Sequence, residues 1–182
     1  MEDIANAVGL MPSEIGFENH KSSCFTAGLP YHFVPVRSLE AIGRARLVAG
    51  RWEQAFGADG AVYLYCRERL HHQAHFHARM FDPGHGIPED PATGSAVAAF
   101  AGVIARYDEP PGGEHRFAIE QGYEMGRESL IQLSIVMHDA KLQAVRIGGR
   151  AIRVARSKFE INDTESGHCC NPCQLKVQRA RV

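Results

Sequence analysis

The chain has 182 residues, 45% apolar and 23% charged, which suits one ordinary folded domain and excludes disordered, collagenous and coiled-coil classes. At that size folding removes roughly 70% of the surface the unfolded chain exposes, so no disulfide or metal staple is required. With 20 Lys+Arg against 21 Asp+Glu the formal net charge is -1, which offers no basic field to a phosphate backbone and argues against nucleic acid as a partner.

The opening Met1, Glu2 and Asp3 lack the basic and apolar regions of a secretory signal. The longest apolar run, Ala96 to Ala105, falls short of the ~20 residues a membrane helix needs, so a cytoplasmic protein away from membranes is expected. Cys24 and Cys66 stand alone while Cys169, Cys170 and Cys173 crowd near the end, which is not a disulfide framework, and reduced thiols are expected.

Ile4, Val8 and Leu10 predict a short opening helix, and Ser22 to Val36 reads as two extended pieces broken at Gly28 and Pro30. Ser38 is placed to cap one interrupted or two short helices over Leu39 to Phe56, with Gly43 and Gly50 as weak points. After a turn at Gly57 to Gly60, Ala61 to Arg67 and Ala74 to Phe81 predict strands. The second puts Ala74, Phe76, Ala78 and Met80 on one face and His75, His77 and Arg79 on the other. A loop is expected from Asp82 to Pro91, then an all-round apolar and hence buried helix from Ser95 to Tyr107. Four strand candidates follow at Arg116 to Gln121, Leu130 to Met137, Leu142 to Ile147 and Ala151 to Val154, with the body ending near Ile161. Residues 162–182 show neither helical nor strand period and read as a loose tail after a single domain over 1–161. An antiparallel sheet curled around one central helix is the arrangement that covers that helix on every side, an α+β fold with no nucleotide-binding strand–helix alternation.

The chemistry concentrates in Glu89 to Ala96. Pro91 biases Asp90 toward extended backbone just outside the helix start, and Gly94 leaves the main chain bare. The first amides of a helix have no partner within it and meet the positive end of its dipole. A substrate carboxylate can therefore dock there, with Thr93, Gly94, Ser95 and Ala96 as the candidate substrate-binding stretch. Asp90 is then placed to accept from an ammonium group or to serve as a base, so Asp90 and Ser95 are the candidate catalytic pair. The same residues also fit a purely structural helix start, with Thr93 or Ser95 as cap and Asp90 complementing the dipole.

Glu89 to Ala96, preceded by Arg79-Met80-Phe81 and followed by Gln121 to Arg127, resembles the carboxy-terminal half of phenazine-biosynthesis PhzF-like proteins. Ala27 to Pro30 and Gly148 to Ala151 extend the resemblance over most of Ile4 to Ile161. It implies a diaminopimelate epimerase-like lobe, one of two barrel-like sheets each wound around a helix, with the active site in the cleft between them. It implies an isomerase that needs no cofactor, in which Asp90 and Ser95 line the site and Gly94 and Ser95 hold the carboxylate. The wider superfamily's racemases use two cysteines, and none lies between Glu89 and Ala96, which disfavours a two-thiol mechanism. A full member is close to twice as long and carries its principal acid/base glutamate in an amino-terminal lobe. The expected function is thus an isomerase or epimerase lobe moving a proton on a small amino- or hydroxy-carboxylate. It would be completed by a separate lobe, or paired as a homodimer through the face that lobe would cover. The alternative is a non-catalytic module in which the same helix end binds a carboxylate or another protein.

His71, His72, His75, His77 and His85 lack a third ligand at defined spacing and read as a solvated strand face, not a metal site. His168, Cys169, Cys170 and Cys173 hold one Cys-x-x-Cys pair, weak evidence for zinc or redox chemistry. Gly112-Gly113 and Gly148-Gly149 read as hairpin turns.

Overall fold

The computed structural model describes residues 1–152, and the fold is that of Met1–Ala151. Four helices, α1 (Glu2–Ala7), α2 (Leu39–Arg44), α3 (Ala49–Phe56) and α4 (Gly94–Tyr107), accompany eight strands. These are β1 (Ser23–Thr26), β2 (Pro30–Pro35), β3 (Val62–Cys66), β4 (Phe76–Asp82), β5 (Ile87–Asp90), β6 (Gly113–Gln121), β7 (Ser129–His138) and β8 (Lys141–Gly148). They form one sheet in the order β1-β2-β3-β4-β6-β7-β8, with β5 paired to β4.

The sheet curls so that β1 and β2 from one end and β7 and β8 from the other all pack on α4. Ala96, Val97, Ala99, Phe100, Ala101, Val103 and Ile104 of α4 are buried in the resulting core, as their all-round apolar pattern demands. Phe100 meets Tyr65 at 4.8 Å and Phe76 at 4.9 Å between ring centroids, both edge-on, the geometry aromatic quadrupoles favour. At the helix's far end Arg67 and the buried His20 both hold Asp108.

Two features of the sheet depart from expectation. It is mixed, since β2·β3 and β4·β6 pair in parallel, each joined by a crossover long enough to carry helices. Within the segment expected to be a loop, β5 pairs antiparallel with β4, Asp90 opposite Met80. Its Ile-Pro-Glu-Asp sequence has no strand period, and the strand survives as a short edge piece.

A second core, not expected, lies on the outer face of β2, β3 and β4. Val34, Val36, Val62, Leu64 and Phe81 there pack against Ala5, Ala7, Val8, Ile42, Trp52 and Phe56 from α1–α3. All of β3 and β4 is therefore buried. That corrects the expected solvated face: His77 and Arg79 are buried, and only His75 of the three is exposed. Ser38 caps α2 through Ala41 N–H at 3.2 Å. The break between the helices falls at Ala45–Val48, not at Gly43 or Gly50. Tertiary hydrogen bonds fix it there, the Arg46 and Val48 amides donating to the carbonyls of Val8 and Ala7. Gly112-Gly113 leads from α4 into β6, and Gly148 ends β8, so neither pair makes a hairpin. Instead Asp139 and Ala140 join β7 to β8, both at positive φ. Ala151 and Ile152 are not in a strand, while residues 153–182, with the expected strand end, tail and Cys169, Cys170 and Cys173, lie outside the described residues.

Candidate active site

β5 and the three residues after it deliver Asp90 to the start of α4. Thr93 Oγ1 donates to Asp90 Oδ2 at 2.6 Å, and Ser95 Oγ lies 2.7 Å from Tyr31 Oη. Neither hydroxyl caps the helix, which begins at Thr93 with no side-chain cap bond. The first intrahelical bond is Val97 N–H to Thr93 O at 3.1 Å. Among the described residues the amides of Gly94, Ser95 and Ala96 thus find no acceptor, and the structural-cap alternative loses its bond. Ser95 is exposed, Asp90 and Gly94 are half-buried, and Thr93 and Ala96 are buried.

The loop is held from beneath by Gln121, fully buried at the end of β6. Its Nε2 donates to Asp90 O at 2.6 Å and to Thr93 Oγ1 at 3.0 Å, and its Oε1 accepts from Thr93 N–H and Tyr63 O–H, both at 3.3 Å. Burial, and then the nearby Asp90 carboxylate, push the Tyr63 phenol far above its ordinary range, so it stays a donor. Ser129 Oγ donates to Pro91 O at 2.9 Å. Gly122 has φ +83°, and a Cβ there would stand 2.7 Å from Pro91 O, so only glycine lets this turn close on the loop. Gly94 plays a different part from the one expected: a Cβ on it would lie 3.1 Å from Ile147 Cδ1, so its bareness admits β8 as one wall of the site.

Structure thus brings Asp90, Thr93, Gly94, Ser95 and Ala96 together and adds Gln121 and Tyr31. Gln121 lies in a string that carries the family resemblance, yet its role needs the fold; Tyr31, 64 residues from Ser95, gives no sequence signal. Behind the sheet, His77 bridges Glu120 at 2.7 Å and Glu124 at 2.8 Å, while Arg79 binds both oxygens of Glu89 at 2.8 Å. Arg79 also donates to the carbonyls of Ile42 and Ala45 at the end of α2. Among the described residues no group of three or more His, Cys, Asp or Glu side chains is placed to share a metal ion. No described helix is long and apolar enough to cross a membrane.

The family model described as phenazine biosynthesis-like protein matches residues 2–157. An uncharacterized isomerase of Mesorhizobium japonicum is 48% identical over 87% of this chain and 54% of its own length. Trans-2,3-dihydro-3-hydroxyanthranilate isomerase of Pseudomonas aeruginosa is 34% identical over 46% of the chain and 30% of its own length. A Bacillus anthracis PhzF-family crystal structure superposes with TM-score 0.70 at 22% identity, covering 81% of this chain and 51% of that one, which speaks for the fold alone. A Pseudomonas aeruginosa structure described as a predicted epimerase gives TM-score 0.54 at 26% identity over 84% of this chain and 51% of its own. The chain spans about half the length of the curated relatives that match most of it. With nearly its whole described length accounted for, this chain belongs to the phenazine biosynthesis-like, or PhzF-like, family.

Proposed function

We propose that the chain is the carboxylate-binding lobe of an isomerase that moves a proton on a small amino- or hydroxy-carboxylate without a cofactor. One observation carries the reading: the start of a buried helix is left without a protein cap, although two hydroxyls stand within reach, because Thr93 is engaged by Asp90 and Ser95 by Tyr31. A substrate carboxylate would accept from the Gly94, Ser95 and Ala96 amides and from Ser95 O–H when Tyr31 donates to Ser95. Asp90 keeps Oδ1 without a partner among the described residues, so that oxygen is the acceptor for an ammonium group or a substrate proton. The isomerase names of the relatives support the reaction class. A second acid/base group would come from the part of the longer relatives that this chain does not match.

Calorimetry with 3-hydroxyanthranilate, the aromatic and so stable analogue of the substrate named for one relative, tests the site. A hydrogen bond to a charged group contributes about 1.5–3 kcal/mol, so Ser95→Ala and Asp90→Ala should each weaken binding by about 10- to 100-fold. Unchanged affinity in both variants overturns the assignment.

A further inference from the structure

The inner residues of the site alternate along their strands with a buried ion cluster on the other face of the sheet. Asp90 follows Glu89, and Gln121 follows Glu120. Glu120, itself fully buried, accepts the Leu70 and His71 amides at 2.7 Å each as well as His77 Nδ1. Glu124 sits in the turn between β6 and β7 and takes His77 Nε2. Both ring nitrogens of a buried histidine thus face carboxylate oxygens, an arrangement satisfied only when both carry hydrogen.

We infer that His77 is a positioning residue: as an imidazolium clamped between Glu120 and Glu124, it holds the Gly122–Arg127 turn against Pro91 and so fixes the start of α4. The route is physical contact. Gly122 closes on the Pro91 backbone, and the turn is internally rigid, with Arg127 N–H donating to Gly122 O at 2.9 Å. Loss of the His77 proton turns a ring lone pair toward a carboxylate. Glu120 is fastened by two backbone amides, so Glu124, the more exposed of the two, is the side chain that lets go and frees the turn.

The other groups facing the ring leave this balance intact. Arg79, beside it on β4, is neutralised by Glu89 and stands 3.8 Å from Glu124. Cys66, opposite His77 on β3, has its thiol pushed by burial up to about 12 and stays uncharged. Tyr123, with its ring 5.8 Å away, is held above the ordinary phenol range by burial and then by Glu120 and Glu128. Burial works against a charged His77, but the hydrogen bonds to Glu124 and Glu120 outweigh it and raise its proton affinity above the usual imidazole range. The clamp does not depend on the proposed function; only its consequence for substrate binding rests on that reading.

Nitrogen-15 NMR of the whole chain tests it without a ligand, so its failure is separate from failure of the carboxylate site. At pH 7 both His77 nitrogens should be protonated, with a midpoint above the ordinary ~6.5. The Gly94, Ser95 and Ala96 amide resonances should shift with the same midpoint. In Glu124→Gln, which keeps an oxygen to accept from Nε2, both midpoints should move down together. In His77→Gln the amide inflection should vanish. A neutral His77 at pH 7 overturns the proposal, as do amides that stay flat through the His77 titration or keep their midpoint in Glu124→Gln.

Discussion

Gln121 is the side chain on which the site's geometry most depends. Its replacement by alanine would strip partners from the Thr93 amide, the Asp90 carbonyl and the Tyr63 hydroxyl, all at or near the core. Each abandoned buried group costs about 1–3 kcal/mol, so Gln121→Ala should lower unfolding stability by about 3 kcal/mol in urea denaturation; a loss under about 1 kcal/mol would mean the loop is held by other contacts. Tyr31→Phe removes one neutral hydrogen bond to Ser95 and should weaken 3-hydroxyanthranilate binding by about 2- to 10-fold in calorimetry, with stability little changed. At Ala140 the backbone stands at φ +58°, where an L side chain is strained, so Ala140→Gly should stabilise the hairpin by roughly 0.5–1 kcal/mol in the same denaturation assay. Asp90 and Ser95 were legible because helix-start chemistry is local in sequence. Tyr31, Gln121 and the Ile147 wall were not, because they reach the same place from other strands.

At the scale of elements, α4 and its wrapping strands follow directly from an apolar pattern with no polar face. Gly102 shows what the wrapping requires: a Cβ there would come within 2.4 Å of the Phe25 ring on β1. Gly102→Ala gains about 1 kcal/mol in helix propensity yet must push that ring aside, and overpacking of this kind costs about 1–3 kcal/mol. A net loss in denaturation midpoint is expected; a gain would show that β1 yields freely. Strands β1, β2, β3, β6, β7 and β8 were readable from alternation and turn residues. Pattern failed at β5, whose Pro and acidic residues mask it, and on β4, whose His77 and Arg79 imitate a wet face while serving a buried ion cluster. Polar alternation marks a face that differs from the core; it does not tell water from a paired charge.

For the whole molecule, the ion cluster makes stability depend on pH in a defined sense. His77 binds its proton more tightly folded than unfolded, so its contribution is complete below ~6.5 and fades as pH rises through its raised folded value. Burial would raise the Glu124 value, but the His77 hydrogen bond and charge outweigh it and hold the carboxyl below its ordinary range. Its contribution is therefore present above ~4.5 and fades as pH falls through the lowered value. The stability difference between wild type and His77→Gln should accordingly peak between about pH 5 and 6.5; a difference that keeps growing toward pH 9 would contradict the clamp. On the same scale, Leu29, Val145 and Ile147, on elements flanking α4, keep substantial apolar surface exposed. We propose that this surface drives self-association of the chain, to be read by light scattering, with a strict monomer at high concentration as the contrary result. The central claim is that the Gly94, Ser95 and Ala96 amides receive a carboxylate, and amide NMR during a 3-hydroxyanthranilate titration tests it most directly. Saturable shifts confined to those amides and their neighbours, abolished in Asp90→Ala and Ser95→Ala, are predicted; shifts elsewhere with these three unmoved would contradict it.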